Sequence, residues 1–197
     1  NKDLKVTSNE INKIIIFLIK KIKKYASKFN SIIISDYNFR VINNLLVDEI
    51  IKLKNKYNFN IFVDKQKNKD TFDVDLYSNV DYLFLNRSEY ESLTKSNFSK
   101  NSLKIQYKKF KKKYNISNII VKLDVDGAIL INDKELIYHK NYKKIPENFN
   151  TVGAGDIFIS VFASSNYLTN NLRLKLAVKE SVNFIINNNN WYVWKKI

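Results

Sequence analysis

The chain has 197 residues, of which 45% are apolar, so it is long and apolar enough for a domain with a hydrophobic core. It contains no cysteine, which excludes disulfides, a thiolate nucleophile, iron–sulfur clusters and cysteine-ligated zinc. The net charge is +15, but the basic residues are almost all Lys spread along predicted helix faces. This pattern favours a solvated surface over a nucleic-acid site.

The sequence gives no indication of a membrane partner. No run approaches the roughly 20 apolar residues that a membrane-spanning helix needs, and no signal-peptide pattern is present. The absence of cysteine fits a reducing, cytoplasmic location. Because the first residue is Asn rather than Met, we expect the chain to begin inside a longer polypeptide.

The apolar periodicity predicts alternating helices and strands. A first helix begins at a capping box formed by Thr7 and Glu10, and inward-facing residues such as Ile14 continue to Phe29. Further helices are predicted over 41–57 (with Leu45 inward), 88–93, 102–114, 153–167 and 172–187. Short apolar runs predict strands at 31–36, 60–64, 81–86, 118–123, 128–131 and 136–139, with a surface turn at 187–190 and a last edge strand at 191–194.

The order of these elements predicts an α/β fold. Strand–helix alternation is typical of a parallel sheet with right-handed crossovers, and the late hairpin adds antiparallel strands at one edge. No internal repeat or linker is visible, so we expect one domain over 1–197.

A polar residue lies at or just after the end of each of the first four predicted strands: Asp36, Asp64, Asn86 and Asp124. In open parallel sheets, ligands bind at the carboxyl ends of the strands, and acids and amides there suit a phosphate–metal site. Each residue taken singly is equally typical of a helix cap or a turn. The four together on one rim indicate a binding site.

Two of the three glycines lie in the stretch Asn150-Thr151-Val152-Gly153-Ala154-Gly155-Asp156. An apolar helix follows, so this stretch forms its first turn, where free N–H groups and the helix dipole favour an anion. The Asp156 carboxylate beside that anion would be a base suited to phosphoryl transfer to an alcohol. The alternative is a plain helix N-cap made of small residues.

Gly153-Ala154-Gly155-Asp156, preceded by Asn150-Thr151, resembles the signature of the PfkB/ribokinase family of sugar kinases, and most closely its heptose-7-phosphate kinase branch. The resemblance implies a ribokinase-like three-layer α/β/α sandwich. It also implies that Asp156 deprotonates the sugar hydroxyl, while the amides of Gly153, Ala154 and Gly155 hold the phosphoryl group.

The resemblance extends to the substrate side. Ser35-Asp36-Tyr37 is similar to a Ser-Asp-Tyr segment that faces substrate and phosphate in heptose kinases. The family continues with Gly-Lys-Gly, where this chain has Asn38-Phe39-Arg40, and Arg40 is our hypothesis for the missing positive charge. The resemblance therefore places Asp36, Tyr37 and Arg40 on the substrate side.

Asn86-Arg87-Ser88-Glu89 resembles the family's Asn-x-x-Glu motif. That motif positions Mg²⁺ and the ATP phosphates through water, which assigns an indirect metal role to Asn86 and Glu89. Such chemistry is reasonable because Mg²⁺ keeps several waters. The alternative for both residues is a capped helix start.

The nucleotide side carries departures from the family pattern. The strand and turn from Val121 to Gly127 align with the family segment that flanks the nucleotide, but Lys122 and Asp124 replace Thr and Gly. Asn150 replaces the usual Asp before Thr151, which leaves activation by K⁺ open. Lys122, Asp124, Gly127, Asn150 and Thr151 are the nucleotide-binding and phosphate-binding candidates.

The sequence therefore predicts an ATP-dependent sugar kinase whose partners are a nucleotide and a small sugar phosphate. The family's first third has no counterpart here, so we expect an N-terminally incomplete kinase with low activity by itself. A homodimer would form through that missing part. The alternative is a catalytically inactive remnant that serves as a nucleotide-binding or interaction module. His139, the only histidine, is expected at the surface or a sheet edge.

Overall fold

The computed structural model describes residues 7–67, 72–145 and 150–188. Its helices are α1 (Ser8–Tyr25), α2 (Asn44–Tyr57), α3 (Arg87–Thr94), α4 (Leu103–Tyr114), α5 (Ala154–Ser164) and α6 (Asn170–Asn188). Its strands are β1 (Ser31–Asp36), β2 (Asn60–Lys65), β3 (Tyr82–Asn86), β4 (Asn118–Lys122), β5 (Ala128–Ile131) and β6 (Leu136–His139).

The six strands form one sheet in the order β1-β2-β3-β4-β5-β6. β1 to β4 are parallel, whereas β5 and β6 add two antiparallel strands at one edge. This confirms the predicted mostly parallel sheet with antiparallel edge strands. The carboxyl ends of the four parallel strands therefore lie along one rim.

Helices cover both faces of the sheet, because successive side chains of the buried strands point to opposite sides. In β2, Ile61 and Val63 face the core shared with α1, α2 and α4. Phe62 between them faces a second core, to which α5 and α6 contribute Phe158 and Leu174. The result is the predicted three-layer α/β/α sandwich.

Asn residues end several helices in this glycine-poor chain. The C-cap residues Asn58 of α2 and Asn115 of α4 have left-handed φ values of 58° and 54°, and their N–H groups bond back to Lys54 and Lys111. Asn tolerates this conformation because its short side chain is small and polar. At the amino end of α1, the predicted capping box of Thr7 and Glu10 is confirmed.

Several local predictions need correction. The second helix begins at Asn44 rather than at 41, and Leu45 is 56% exposed instead of inward, as is Ile14 at 43%. α6 continues through Asn188, so the turn predicted from 187 is wrong for its first two residues. The strand predicted at 191–194 lies outside the described residues. Among the described helices, none is both long and apolar enough to cross a membrane.

Candidate functional site

The polar residues at the strand ends lie on different faces of the sheet. Asp64 and Asn86 share the sheet face of Phe62 and Phe84, which is the face covered by α5. Asp36 is buried on the other face, where it accepts hydrogen bonds from the Tyr77 hydroxyl at 2.6 Å and from a backbone N–H. The structure therefore brings Asp64 and Asn86 towards α5 and holds the Asp36 carboxylate within the opposite helical layer.

The first turn of α5 lies above this rim and depends on its two glycines in different ways. Gly153, the N-cap, has a left-handed φ of 89°, and a Cβ there would lie 3.2 Å from the Phe184 ring. Gly155 has no such strain, but a Cβ on it would lie 3.5 Å from both the Asp64 and Lys122 side chains. The first glycine sets the backbone, and the second keeps the turn close to charged groups.

The amides of this turn differ from the prediction at one position. The Ala154 N–H donates to the Thr151 carbonyl at 3.0 Å, so it is not free for an anion. The N–H groups of Gly155 and Asp156 have no acceptor within residues 7–67, 72–145 and 150–188. Two adjacent amides at the helix N-terminus therefore remain available to an anion.

The residues just before the turn are held by local bonds. The Asn150 side chain accepts a hydrogen bond from the Val152 N–H at 2.9 Å, which makes an Asx turn. Thr151 is exposed, and its carbonyl is used by Ala154. Asn150 and Thr151 thus shape the approach to the turn.

The Asp156 carboxylate is held by a residue that follows β1. The Tyr37 hydroxyl donates to it, with distances of 2.8 and 2.7 Å to the two carboxylate oxygens. This hydrogen bond, with burial and the nearby negative charges of Asp156 and Asp64, raises the pKa of Tyr37 to about 12. Asp156 and Tyr37 are thereby brought together, although 119 positions separate them in sequence.

The loop after Tyr37 explains one departure from the family pattern. Asn38 and Arg40 stand where heptose kinases have the two glycines of Gly-Lys-Gly, and their φ values are left-handed, at 62° and 65°. Asn38 and Arg40 therefore hold a backbone conformation that glycine adopts easily. The Arg40 side chain is exposed beside the site.

Lys122, at the end of β4, reaches across the end of β3 to Asp64 of β2. Its ammonium nitrogen lies 2.8 and 2.6 Å from the two carboxylate oxygens, and the side chains are only 18% and 12% exposed. The sequence identified Lys122 as a candidate but gave no sign of its partner. β2 and β4 become neighbours across β3 only in the folded sheet.

Asn86 and Glu89 form a reciprocal capping box at the start of α3. The Asn86 side chain accepts from the Glu89 N–H at 2.8 Å, and Glu89 accepts from the Asn86 N–H at 2.7 Å. Glu89 is 4% exposed, and burial raises its pKa, although the Asn86 N–H and the charge of Lys122 act in the opposite direction. The helix-cap role considered in the sequence analysis is therefore filled by both side chains.

The turn between β4 and β5 provides the opposite side of the site. Asp124, where the family has Gly, is exposed and has a left-handed φ of 51°. Gly127 has a φ of 107°, and a Cβ there would lie 2.0 Å from the His139 carbonyl oxygen. Gly127 is thus required by the close approach of β6. His139 lies at that edge strand, partly buried, and bonds to Asn171 at 2.6 Å.

A cleft of about 320 Å³ lies between these parts. Its strand side is lined by Asn86, Lys122, Asp124 and Gly127, and its helical side by Thr151, Ala154 and Gly155. Asp156 is not in its lining and faces Tyr37 instead. The turn of α5 therefore separates an open cleft from the Asp156–Tyr37 pair.

Sequence reasoning missed one wall of the cleft. Val178, Ser181, Val182 and Ile185 of α6 line it. Their helical spacing is visible in the sequence, but such a stripe is equally typical of a helix that packs on a core.

Comparisons with known proteins identify the family of this chain. Residues 9–182 match the pfkB family carbohydrate kinase. The chain is 33% identical over 162 residues to bifunctional protein HldE of Aliarcobacter butzleri, covering 82% of this chain and 32% of that protein. It is 28% identical over 161 residues to bifunctional protein HldE of Sulfurimonas denitrificans, covering 81% and 32%. It therefore spans about a third of these curated relatives.

Solved structures share the fold. Arabidopsis thaliana ribokinase complexed with ribose and ATP superposes with a TM-score of 0.69 at 19% identity, covering 82% of this chain and 51% of that one. Escherichia coli phosphofructokinase-2 in complex with substrates and products gives 0.65 at 13% identity, covering 85% and 55%. The chain thus corresponds to about half of each of these structures.

Proposed function

The chain belongs to the pfkB family of carbohydrate kinases, and from this membership we propose that it transfers the γ-phosphoryl group of ATP to a hydroxyl of a sugar phosphate. The observation that carries the proposal is the pair of amides at Gly155 and Asp156, which have no acceptor in the described part of the chain and lie directly beside the Asp156 carboxylate. An anion-binding turn and a base within one helical turn are what phosphoryl transfer to an alcohol requires.

The acceptor is proposed to be a phosphorylated heptose or a sugar of that kind. Support comes from Ser35-Asp36-Tyr37, which resembles the heptose-7-phosphate kinase segment, and from the left-handed Asn38 and Arg40 that follow it. In this arrangement, the sugar approaches from the Tyr37 side, and the nucleotide occupies the cleft. Arg40 is exposed and free to meet a negatively charged group on the acceptor.

The chemical step uses Asp156 as the general base. The acceptor O–H bond breaks as its proton moves to the Asp156 carboxylate, and the oxygen forms a bond to the γ-phosphorus. The bond from that phosphorus to the bridging oxygen breaks, and ADP leaves with the electron pair. The Gly155 and Asp156 amides stabilise the charge on the phosphoryl oxygens, and the base contributes roughly 10²–10⁴-fold.

A magnesium ion fits this site only through water and nucleotide. Among the described residues, no three acidic or histidine side chains are close enough to hold a metal directly. Asn86 lines the cleft, and Glu89 lies behind it, so these two would orient metal-bound waters. A bound Mg²⁺ would offset the negative charge of the triphosphate. Whether K⁺ is also needed is part of the test.

The proposal is tested by Asp156→Asn in the full-length protein. We expect phosphorylation of a panel of sugar phosphates, including heptose 7-phosphate, to fall by at least about 10²-fold while ATP binding is retained. ADP release measures turnover, with and without K⁺, and calorimetry measures ATP binding. Asp48→Asn is the matched control, because Asp48 is exposed on α2 and makes no side-chain bond in the described part of the chain.

Two outcomes would contradict the proposal. Retained turnover in Asp156→Asn rejects this base. ATP binding by the unmodified protein without phosphorylation of any acceptor favours the inactive remnant, a nucleotide-binding module in which Lys122 and Asp124 replace the family's residues.

A further inference from the structure

The Lys122–Asp64 pair sits directly under the proposed phosphate site. A Cβ placed on Gly155 would be 3.5 Å from the Lys122 ammonium and 3.5 Å from an Asp64 oxygen. The Gly155 amide is one of the two without an acceptor in the described residues. An anion bound by that amide would therefore lie within reach of the Lys122 side chain.

The hydrogen bonds of the pair allow Lys122 to exchange Asp64 for another acceptor. An ammonium group has three donors, and both of the hydrogen bonds that Lys122 makes in the described residues go to Asp64. It has no other acceptor within residues 7–67, 72–145 and 150–188. Lys122 also lines the cleft, so part of it meets solvent. Its long, flexible side chain can turn from one oxygen ligand to another without a backbone change.

The chain contains a second lysine–aspartate pair for comparison. Lys54 lies 2.7 Å from Asp81 at the opposite end of the sheet, with side chains that are 22% and 16% exposed. Lys54 also donates to the Asn79 carbonyl, and the second Asp81 oxygen accepts from the Ile61 N–H. Both members of that pair therefore have a further hydrogen bond, whereas Lys122 and Asp64 bond only to each other through their side chains among the residues that the structure describes.

We propose that Asp64 is an exchangeable counter-ion, which holds the Lys122 ammonium beside the proposed phosphate site and gives it up to a phosphate oxygen of the nucleotide. The inference rests on the proposed function and adds a further phosphate-positioning residue, together with its exchange partner. Phosphate is the better partner because it brings more charge and more acceptor oxygens than one carboxylate. No bond to carbon or phosphorus is made or broken in the exchange.

Because of this exchange, replacing Lys122 and replacing Asp64 should change the affinity for a phosphate ligand in opposite directions. The probe is inorganic tripolyphosphate in EDTA, measured by calorimetry on the full-length protein. Lys122→Met should weaken binding by about tenfold or more, because a charge-assisted bond is lost. Asp64→Asn should tighten binding by about three- to tenfold, because the competing carboxylate is removed. An ion pair with only a structural role would weaken binding in both variants.

Matched controls separate local from overall charge. Lys54→Met changes the net charge as Lys122→Met does, and Asp48→Asn changes it as Asp64→Asn does. Both controls should leave tripolyphosphate affinity within about twofold, since neither Lys54 nor Asp48 lines the cleft and distant charges are screened by salt. The side-chain ¹⁵N signal of Lys122 should shift on saturation while that of Lys54 stays. Circular dichroism confirms that each variant is folded.

The outcomes distinguish this inference from the proposed function. If the unmodified protein binds no tripolyphosphate, both fail. If it binds and Lys122→Met binds equally well, or if Asp64→Asn weakens binding, the exchange is rejected while the phosphate site remains.

Discussion

The two ends of the parallel sheet each carry a lysine–aspartate pair of similar length, and the pairs differ in what else they bind. At the amino ends of the strands, Lys54 and Asp81 also bond to the backbone at Asn79 and Ile61. At the carboxyl ends, Lys122 and Asp64 bond only to each other among the described residues. The first pair ties the sheet together, and the second borders an open cleft.

A buried arginine strengthens the contrast. Arg173 of α6 is 4% exposed and stacks 4.0 Å from the centre of the Phe162 ring. Its guanidinium donates to the Phe162 carbonyl and to the hydroxyl of Tyr82, at the amino end of β3, both at 3.0 Å. Arg173 Nε and Nη1 are thus bonded within the fold at the amino end of the sheet. At the carboxyl end, the Gly155 and Asp156 amides have no acceptor among the described residues, and the Lys122 ammonium is bonded there to Asp64 alone, so a ligand can compete for these donors.

The largest expected effect is a difference in the free energy of unfolding between variants at the two ends of the sheet. Asp81→Ala removes a carboxylate that accepts from Lys54 and from the Ile61 N–H, so the Ile61 N–H loses its acceptor and Lys54 keeps only the Asn79 carbonyl, in a mostly buried place. We expect it to lower the free energy of unfolding by about 2–4 kcal/mol, against about 1 kcal/mol or less for Asp64→Ala, since Lys122 can turn to solvent in the cleft. Urea denaturation measures both. Equal losses would mean that the Asp64 pair is also structural.

Local patterns explain how much of the fold and the site was predictable. The capping boxes, the six strand runs between 31 and 139 and the Gly153–Asp156 turn follow from residues within a few positions of one another, and each lies where the sequence places it to within about one residue. Strand alternation with helices is enough to order a parallel sheet. The chemistry proposed for the α5 turn follows from a helix N-terminus that carries an acid.

The remaining features depend on which elements become neighbours. The contact of Tyr37 with Asp156 and the reach of Lys122 to Asp64 join strand ends and loops that are far apart in sequence. The exposure of Leu45 depends on what covers α2, which its own periodicity does not state. The sequence predicted that the Ala154 amide is free. In the folded turn, the left-handed Gly153 sets a bend that directs this amide to the Thr151 carbonyl, and the sequence alone does not show that bend.

A smaller effect is expected from the two glycines of the α5 turn, which lie at the carboxyl end of the sheet. Gly153→Ala places a side chain at a φ of 89° and 3.2 Å from the Phe184 ring, so we expect a loss of about 1–2 kcal/mol in unfolding free energy. Gly155→Ala meets only ordinary contacts at 3.5 Å and gains helix propensity, so its stability should change by less than about 0.5 kcal/mol. Thermal unfolding compares them. A larger loss for Gly155→Ala would show that this glycine serves the fold rather than the space beside the ion pair.

The smallest effect concerns the two tyrosines that donate to aspartates. The pKa of Tyr37 is raised to about 12, first by its hydrogen bond to Asp156, whereas that of Tyr77 is raised first by burial and then by Asp36. Asp156→Asn should therefore bring the pKa of Tyr37 down towards the ordinary 10.0 and leave that of Tyr77 raised. A pKa raised in the folded state stabilises the protein below about pH 10, and this contribution is lost as the pH rises from about 10 to about 12. Tyr37→Phe should accordingly flatten the fall in stability over that window. Titration of ¹³C-labelled tyrosine by NMR follows both residues, and an unchanged Tyr37 curve in Asp156→Asn would mean that the hydroxyl does not donate to this carboxylate in solution.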